Sequence, residues 1–196
     1  LAEDNMYILV VSSSLDPQSR SRQIAKLCTD ELQSLGRQVK FVDLAELNVP
    51  NFDNDKIYKT EQYKELHKLT AEAGGLVLCS PIYNWGCCSE LKKYIEYVGS
   101  TPPDGSLTGA LFDKVVTFVC SAGLPHSYMA DSALSTSLST DFKCIINPYN
   151  LYVHNRHWAN DTLSQERKPR LEKSMKVMDE LCSLLSARTY KSGWEL

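Results

Sequence analysis

Five short apolar, β-rich runs alternate along this chain with segments whose apolar residues recur at helical spacing. The runs are Met6 to Ser12, Val39 to Leu44, Leu76 to Ser80, Val115 to Cys120, and a fifth shared between Ile145-Ile146 and Leu151 to Val153, interrupted by Pro148. Between them lie helix faces. The first is Ile24, Leu27, Cys28, Leu32 and Leu35, closed by Gly36 as a C-cap. The second runs through Tyr63, Leu66, Leu69 and Ala73, and the third covers about Ser89 to Val98. A weaker one is expected over Tyr128 to Leu138, and a last one carries Leu171, Met175, Met178, Cys182 and Leu185.

Strands this apolar have no solvent face, so the alternation predicts a parallel sheet covered on both sides. Right-handed crossovers leave few topologies. The expected fold is α/β, a three-layer flavodoxin-like arrangement with a five-stranded parallel sheet of order 2-1-3-4-5 and helices on both faces. A chain of 196 residues can bury a sufficient core alone, so residues 1–196 are expected to form one domain. Ligands of such sheets bind where the strand order reverses, beyond the carboxyl ends of the strands. Three loops meet there: Ser12 to Ser21, Ser80 to Cys88, and Cys120 to Tyr128.

The loop Ser80-Pro81-Ile82-Tyr83-Asn84-Trp85-Gly86 offers two flat aromatics and an amide, which suits a flat heterocycle better than a sugar or an ion. Tyr83 and Trp85 either flank such a ring or pack beneath the loop or in a subunit interface, where Tyr and Trp are favoured. The first loop carries Ser14, Ser19 and Ser21 before a helix, with Arg20 and Arg22 nearby. A helix N-terminus favours anions, and the hydroxyls add donors for phosphate oxygens. Simple N-capping explains one such serine, though not the whole set. The chain has neither the Gly-Lys-Ser/Thr ending of a P-loop nor a Gly-x-Gly-x-x-Gly after its first strand, so a mononucleotide fits better than a dinucleotide cofactor.

The segments Ser14 to Arg22, Pro81-Ile82-Tyr83-Asn84 followed by Leu91-Lys92, and Ser121-Ala122-Gly123 resemble the NADPH-dependent FMN reductase family in order and spacing. The resemblance implies bound FMN, NADPH or NADH as co-substrate, and a flavin, quinone, azo dye or metal oxyanion as acceptor. It places Ser14, Ser19 and Ser21 at the FMN phosphate, with Arg20 beside it. Pro81, Ile82, Tyr83, Asn84 and Trp85 would lie along the isoalloxazine, and Ser121, Ala122 and Gly123 at its pyrimidine side. Hydride transfer between stacked rings needs no protein acid, base or nucleophile, so none is assigned. The resemblance also implies ping-pong turnover of a small-molecule acceptor and a homodimer or homotetramer. The chain departs from the family at Asp16, where an Arg is usual, and at Trp85, Cys87, Cys88 and Glu90. Asp16 keeps open an alternative: a flavodoxin-like FMN-binding sensor or electron carrier without NAD(P)H turnover.

The net charge of −3 is spread along the chain, which argues against nucleic acid or an acidic membrane as partner. No apolar run approaches the roughly 20 residues that cross a bilayer, and the acidic start, Leu1 to Asn5, has no signal-peptide shape. Seven cysteines, an odd count without zinc spacing, read as reduced thiols in a cytoplasmic protein, Cys87-Cys88 included. His154 and His157 lack a third ligand, so no metal is expected. His126 and the basic run Arg167-Lys168-Pro169-Arg170 read as solvated, although the latter's charges also suit the NADPH 2′-phosphate.

Overall fold

The computed structural model describes residues 6–194, so Leu1 to Asn5 and the expectation attached to them lie outside the described residues. Strand β1 (Tyr7–Ser12) is buried along its whole length. Successive side chains of a strand point to opposite faces, and here both faces are core. Leu9 and Val11 join one apolar cluster, while Ile8 and Val10 join another. Helix α1 (Arg20–Ser34) follows, with Ile24, Ala25, Cys28 and Leu32 turned into the second cluster. Next come β2 (Gln38–Asp43) and α2 (Glu61–Glu72), whose Tyr63 and Leu66 enter the first cluster.

Strand β3 (Gly75–Tyr83) lies beside β1 and runs past the expected end at Ser80. It folds back through β4 (Gly86–Cys87), which pairs antiparallel with it, and α3 (Ser89–Gly99) then returns along the first core. Strand β5 (Val115–Ala122) is fully parallel to β3 and leads to α4 (Ser132–Asp141). That helix begins four residues later than its apolar spacing suggests, after turns at Ala130 and Ser132.

The sheet order is β2-β1-β3-β5, with β6 (Ile145–Ile146) and β7 (Leu151–His154) both paired to the outer edge of β5. Counted as one interrupted strand, β6 and β7 complete the expected 2-1-3-4-5 order. The break falls at Pro148, which lacks an N–H to offer a ladder. Two asparagines bridge it. The Asn147 N–H donates to the Val116 carbonyl at 2.8 Å, and the Phe118 N–H donates to Asn150 Oδ1 at 2.9 Å. A short hairpin, β8 (Trp158–Ala159) and β9 (Thr162–Leu163), precedes α5 (Lys168–Ser186). Helix α5 covers the second core with Leu171, Met175, Met178 and Cys182.

The ladder registers bring the strand ends together. Ser12 is opposite Cys79, and Pro81 is opposite Ser121. The loops after β1, β3 and β5 therefore leave the sheet side by side.

On the first-core face, the loop before β5 is held against α3. The Ala110 N–H donates to the Val98 carbonyl at 2.6 Å, and a Cβ on Gly109 would stand 2.3 Å from the Gly99 carbonyl oxygen. Backbone cannot yield as a flexible side chain does. Gly109→Ala is therefore expected to destabilise the chain by about 2 kcal/mol or more, read as a lowered urea midpoint. An unchanged midpoint would mean that this loop can leave α3 freely.

Candidate functional site

The first loop ends at Ser19, the N-cap of α1, whose Oγ accepts the Arg22 N–H at 3.2 Å. The Ser19 and Ser21 hydroxyls lie 2.7 Å apart, and Ser14 Oγ accepts the Asp16 N–H at 3.2 Å. All three serines are buried. One hydrogen bond joins Ser19 to Ser21, so one of those two hydroxyl hydrogens has no acceptor among the described residues. The Ser14 hydroxyl hydrogen has none either, and Ser12 Oγ is buried with no partner at all. The N–H groups of Arg20 and Ser21 stand in the first turn of α1, where a helix supplies no acceptor. A buried donor left unpaired costs about 1–3 kcal/mol. An anion seated at the helix start would satisfy several at once, so this donor set fits a phosphate group. Ser19 caps α1, and the serine set still keeps unpaired donors beyond that cap.

The nearby charges behave differently from their sequence positions. Arg22 forms an ion pair with Asp43 at the end of β2. Its Nη1 donates to the Asp16 carbonyl at 2.6 Å and its Nη2 to the Ser14 carbonyl at 2.7 Å. It braces the loop from behind. Arg20 pairs with Asp161 at 2.7 Å and lies over the Trp158 ring, 4.8 Å from its centroid. Asp161 is 77% exposed, and exposed pairs of this kind contribute at most about 1 kcal/mol, so Arg20 can exchange partners cheaply. The Asp16 carboxylate accepts the Gln18 N–H at 2.9 Å, closing an Asx-turn within the loop. Asp16 therefore shapes the backbone of the loop that its charge makes less welcoming to anions.

The second loop is a tight hairpin. Tyr83 pairs with Gly86, leaving Asn84 and Trp85 as a two-residue turn at φ +49° and +66°. Hairpins of this length need positive φ at both turn positions. Asn tolerates that conformation, whereas a bulky side chain is strained there. Tyr83 and Trp85 are 57% and 68% exposed, while Pro81 and Ile82 are buried beneath them.

Cys88 joins the first two loops. Its Sγ lies 3.1 Å from Ser13 Oγ, its N–H donates to Ser80 Oγ at 3.0 Å, and Ser13 Oγ donates to the Cys79 carbonyl at 2.8 Å. Cys87 instead faces β5, where a hydrogen bond with Cys120 holds its thiol pKa below the ordinary value against the opposing effect of burial. All seven cysteines are free thiols.

In the third loop, Ser121 is buried beside Pro81, and Ala122 is opposite His154. Gly123 and His126 are exposed. The His154 and His157 ring centroids lie 3.7 Å apart with the planes tilted by 41°, and burial, reinforced by Arg167, lowers both pKa values. Sequence reasoning singled out the serines, the aromatic loop and the Ser121 loop, and the strand registers bring all three to one sheet edge. It missed the Arg22–Asp43 brace and the Cys88 stitch, which rest on contacts between residues 21 and 75 positions apart. The hairpin did leave a local trace, Asn84 followed by Trp85-Gly86 after a strand.

Comparison with known proteins adds three findings. Residues 6–157 match the family model described as NADPH-dependent FMN reductase. An NADPH azoreductase of Bacillus sp. (strain OY1-2) is 22% identical over 180 residues, covering 91% of this chain and 94% of that protein. Among solved structures, an oxidoreductase from Corynebacterium diphtheriae superimposes with a TM-score of 0.70 at 18% identity, covering 94% of this chain and 100% of that one. FerB from Paracoccus denitrificans, a flavoenzyme NAD(P)H:(acceptor) oxidoreductase, gives 0.71 at 16% identity, covering 91% and 98%.

The hairpin geometry yields a test that needs no ligand. Trp85→Gly removes the steric penalty of the left-handed turn position and is expected to raise stability by about 1 kcal/mol, measured by urea unfolding. Lower stability in the variant would mean that indole contacts, rather than turn strain, govern this position.

Proposed function

The chain belongs to the NADPH-dependent FMN reductase family, the NAD(P)H-dependent, FMN-binding oxidoreductases, and from that premise we propose which of its residues do the work. Ser14, Ser19 and Ser21 hold the FMN phosphate. Pro81, Ile82, Tyr83, Asn84 and Trp85 line one side of the ring, and Ser121, Ala122 and Gly123 line its pyrimidine side. The observation that carries this assignment is the group of buried serine hydroxyls around the first turn of α1, with more donors than acceptors. Arg20 joins the phosphate by exchanging its exposed partner Asp161.

Bound FMN supplies two-electron chemistry, taking a hydride from the nicotinamide and passing electrons to an acceptor. The protein's contribution is placement. The donors we assign to the ring's heteroatoms are backbone N–H groups of Asn84 and Trp85 and of the Ser121 to Gly123 segment, the Gly86 N–H being taken by the hairpin pairing with Tyr83. Tyr83 and Trp85 present exposed flat surface to a co-substrate. No side chain is assigned proton transfer.

The acceptor is a small flat molecule, a flavin, a quinone or an azo compound, the last suggested by the name of the Bacillus relative. A second copy of the chain, in a homodimer or homotetramer, suits the exposed Leu15, Trp85, Leu124 and Met129 on the loops around the site. We place the protein in the cytoplasm, on the ground that all its cysteines are free thiols. Among the described residues, no helix is long and apolar enough to cross a membrane.

Protein loaded with FMN should bleach on anaerobic addition of NADPH or NADH; no bleaching with either would reject the oxidoreductase reading. Ser19→Ala should weaken FMN binding by about 1 kcal/mol or more, roughly fivefold in Kd, by fluorescence titration. Unchanged affinity would remove Ser19 from the phosphate. Asp16→Asn keeps the turn acceptor and removes the charge, so FMN should bind several-fold more tightly at low salt.

A further inference from the structure

Helix α5 opens with positive charge at its positive pole. Arg167 is its N-cap, Lys168 and Arg170 lie in the first turn, and no acidic residue accompanies them there. The helix dipole favours anions at this end and opposes cations. None of the three cations forms an ion pair with a described residue. Two of them are nevertheless held in place. Arg167 Nε donates to His157 Nε2 at 2.9 Å, and Arg170 Nη2 donates to the Asn150 carbonyl at 3.1 Å while its guanidinium lies over the Tyr149 ring. Each keeps most of its N–H donors for another partner.

Those guanidiniums line a cavity of about 390 Å³ together with Tyr128, Asn150 and Tyr152. Its place relative to the ring loop is fixed by the sheet. Tyr152 is opposite Cys120, the residue before Ser121, and the Tyr152 hydroxyl donates to the Leu124 carbonyl. Tyr128 comes from the same loop and is 65% exposed. Two carboxylates lie near this wall: Asp131, held by Asn150 Nδ2 at 2.9 Å and by Ser135 Oγ at 3.1 Å, and Glu166, which precedes Arg167 and forms no ion pair with a described residue. The helix itself lies beyond residues 6–157, which match the family.

We propose that this cavity receives the adenosine 2′-phosphate of NADPH and that Arg167 and Arg170 make the chain prefer NADPH to NADH. The proposal rests on the nicotinamide-dependent reading above. Planar guanidinium forks match phosphate oxygens geometrically as well as electrostatically. A phosphate dianion relieves both the crowding of cations and their conflict with the helix dipole. Tyr128 supplies a face for the adenine ring. The volume lies within the ~300–1,000 Å³ typical of small-molecule sites. With the nicotinamide stacked on a ring whose pyrimidine side meets Ser121 to Gly123, the adenosine end of the dinucleotide can extend toward β7, whose Tyr152 lines this cavity.

The test uses FMN-loaded protein and two probes that differ by one phosphate, 2′,5′-ADP and 5′-AMP, with binding read by calorimetry. Wild type should bind 2′,5′-ADP at least tenfold more tightly than 5′-AMP, and Arg167→Gln/Arg170→Gln should erase that difference. Arg170 also supports the Asn150 carbonyl, so Arg167→Gln alone serves as the milder variant and should lose at least threefold of the preference. In steady-state assays the double variant should raise KM for NADPH about tenfold or more while KM for NADH and both kcat values stay within twofold. Equal affinity of wild type for the two probes, or equal loss for NADPH and NADH in the variants, would overturn the proposal. If neither nucleotide bleaches the FMN of wild type, the nicotinamide reading fails and this assignment with it. If both bleach it with equal KM, this assignment fails alone.

Discussion

The arrangement depends on one constraint: β1, β3 and β5 are buried on both faces, so polar chemistry can be carried only where these strands end. Their side chains alternate between two apolar clusters. A polar group in the middle of such a strand would need a partner on whichever face it entered. Because the strands are parallel and in close register, their carboxyl ends coincide, as Ser12 with Cys79 and Pro81 with Ser121. Three loops distant in sequence thereby become neighbours through the sheet itself, before any contact between the loops is made. Helix α1 starts at the same edge, so its unpaired first-turn N–H groups are delivered there too.

That edge carries the Asp16 carboxylate, and the Arg22 brace explains how the loop keeps its shape regardless. A guanidinium bonded to Asp43 and to two loop carbonyls fixes the Ser14 to Ser21 backbone from the inside. Breaking such a largely buried pair by removing one partner costs about 3–5 kcal/mol. The positive charge nearest the serines is therefore structural. On our proposal, affinity for the FMN phosphate comes from hydroxyl and amide donors, with Arg20 as the exchangeable cation. Cys88 performs the matching task on the other side, linking Ser13 to Ser80 so that the loops after β1 and β3 hold a common spacing. A thiol suits the position because it is small, weakly polar and tolerant of imperfect hydrogen-bond geometry.

Much of this was legible because period and burial leave direct marks on sequence. The apolar runs locate the strands of the main sheet except the two-residue β4, which read as loop, and even the split of the fifth strand is announced by Pro148. The serine loop and the aromatic loop stand at the predicted edge because topology alone places them there. What sequence did not disclose falls into two kinds. Pairings such as Arg22 with Asp43 or Cys88 with Ser13 join residues whose neighbourhood exists only after the sheet forms. Weak elements were misplaced for a different reason. Helix α4 has little amphipathic contrast and a single buried side chain, Leu138, so nothing sharp marks its start. The β8–β9 hairpin has a two-residue Asn160-Asp161 turn at positive φ, a short signal that no apolar alternation on either side reinforces.

Local preference is obeyed almost everywhere in this chain, which makes the exceptions informative. Trp85 occupies a left-handed turn position that favours glycine or asparagine. Arg167, Lys168 and Arg170 crowd a helix end that repels them. Neither feature improves the core, since Trp85 is 68% exposed and the basic residues lie at the surface end of α5. Both stand at the same sheet edge, on opposite sides of the Ser121 loop. A bulky aromatic held in strain and a cluster of cations held against a dipole each lower the stability of the free protein. Each also presents surface that a flat ring or an anion would satisfy. The strand registers bring both toward the carboxyl ends of β3, β5 and β7, the edge at which our proposal seats a flat heterocycle carrying phosphate.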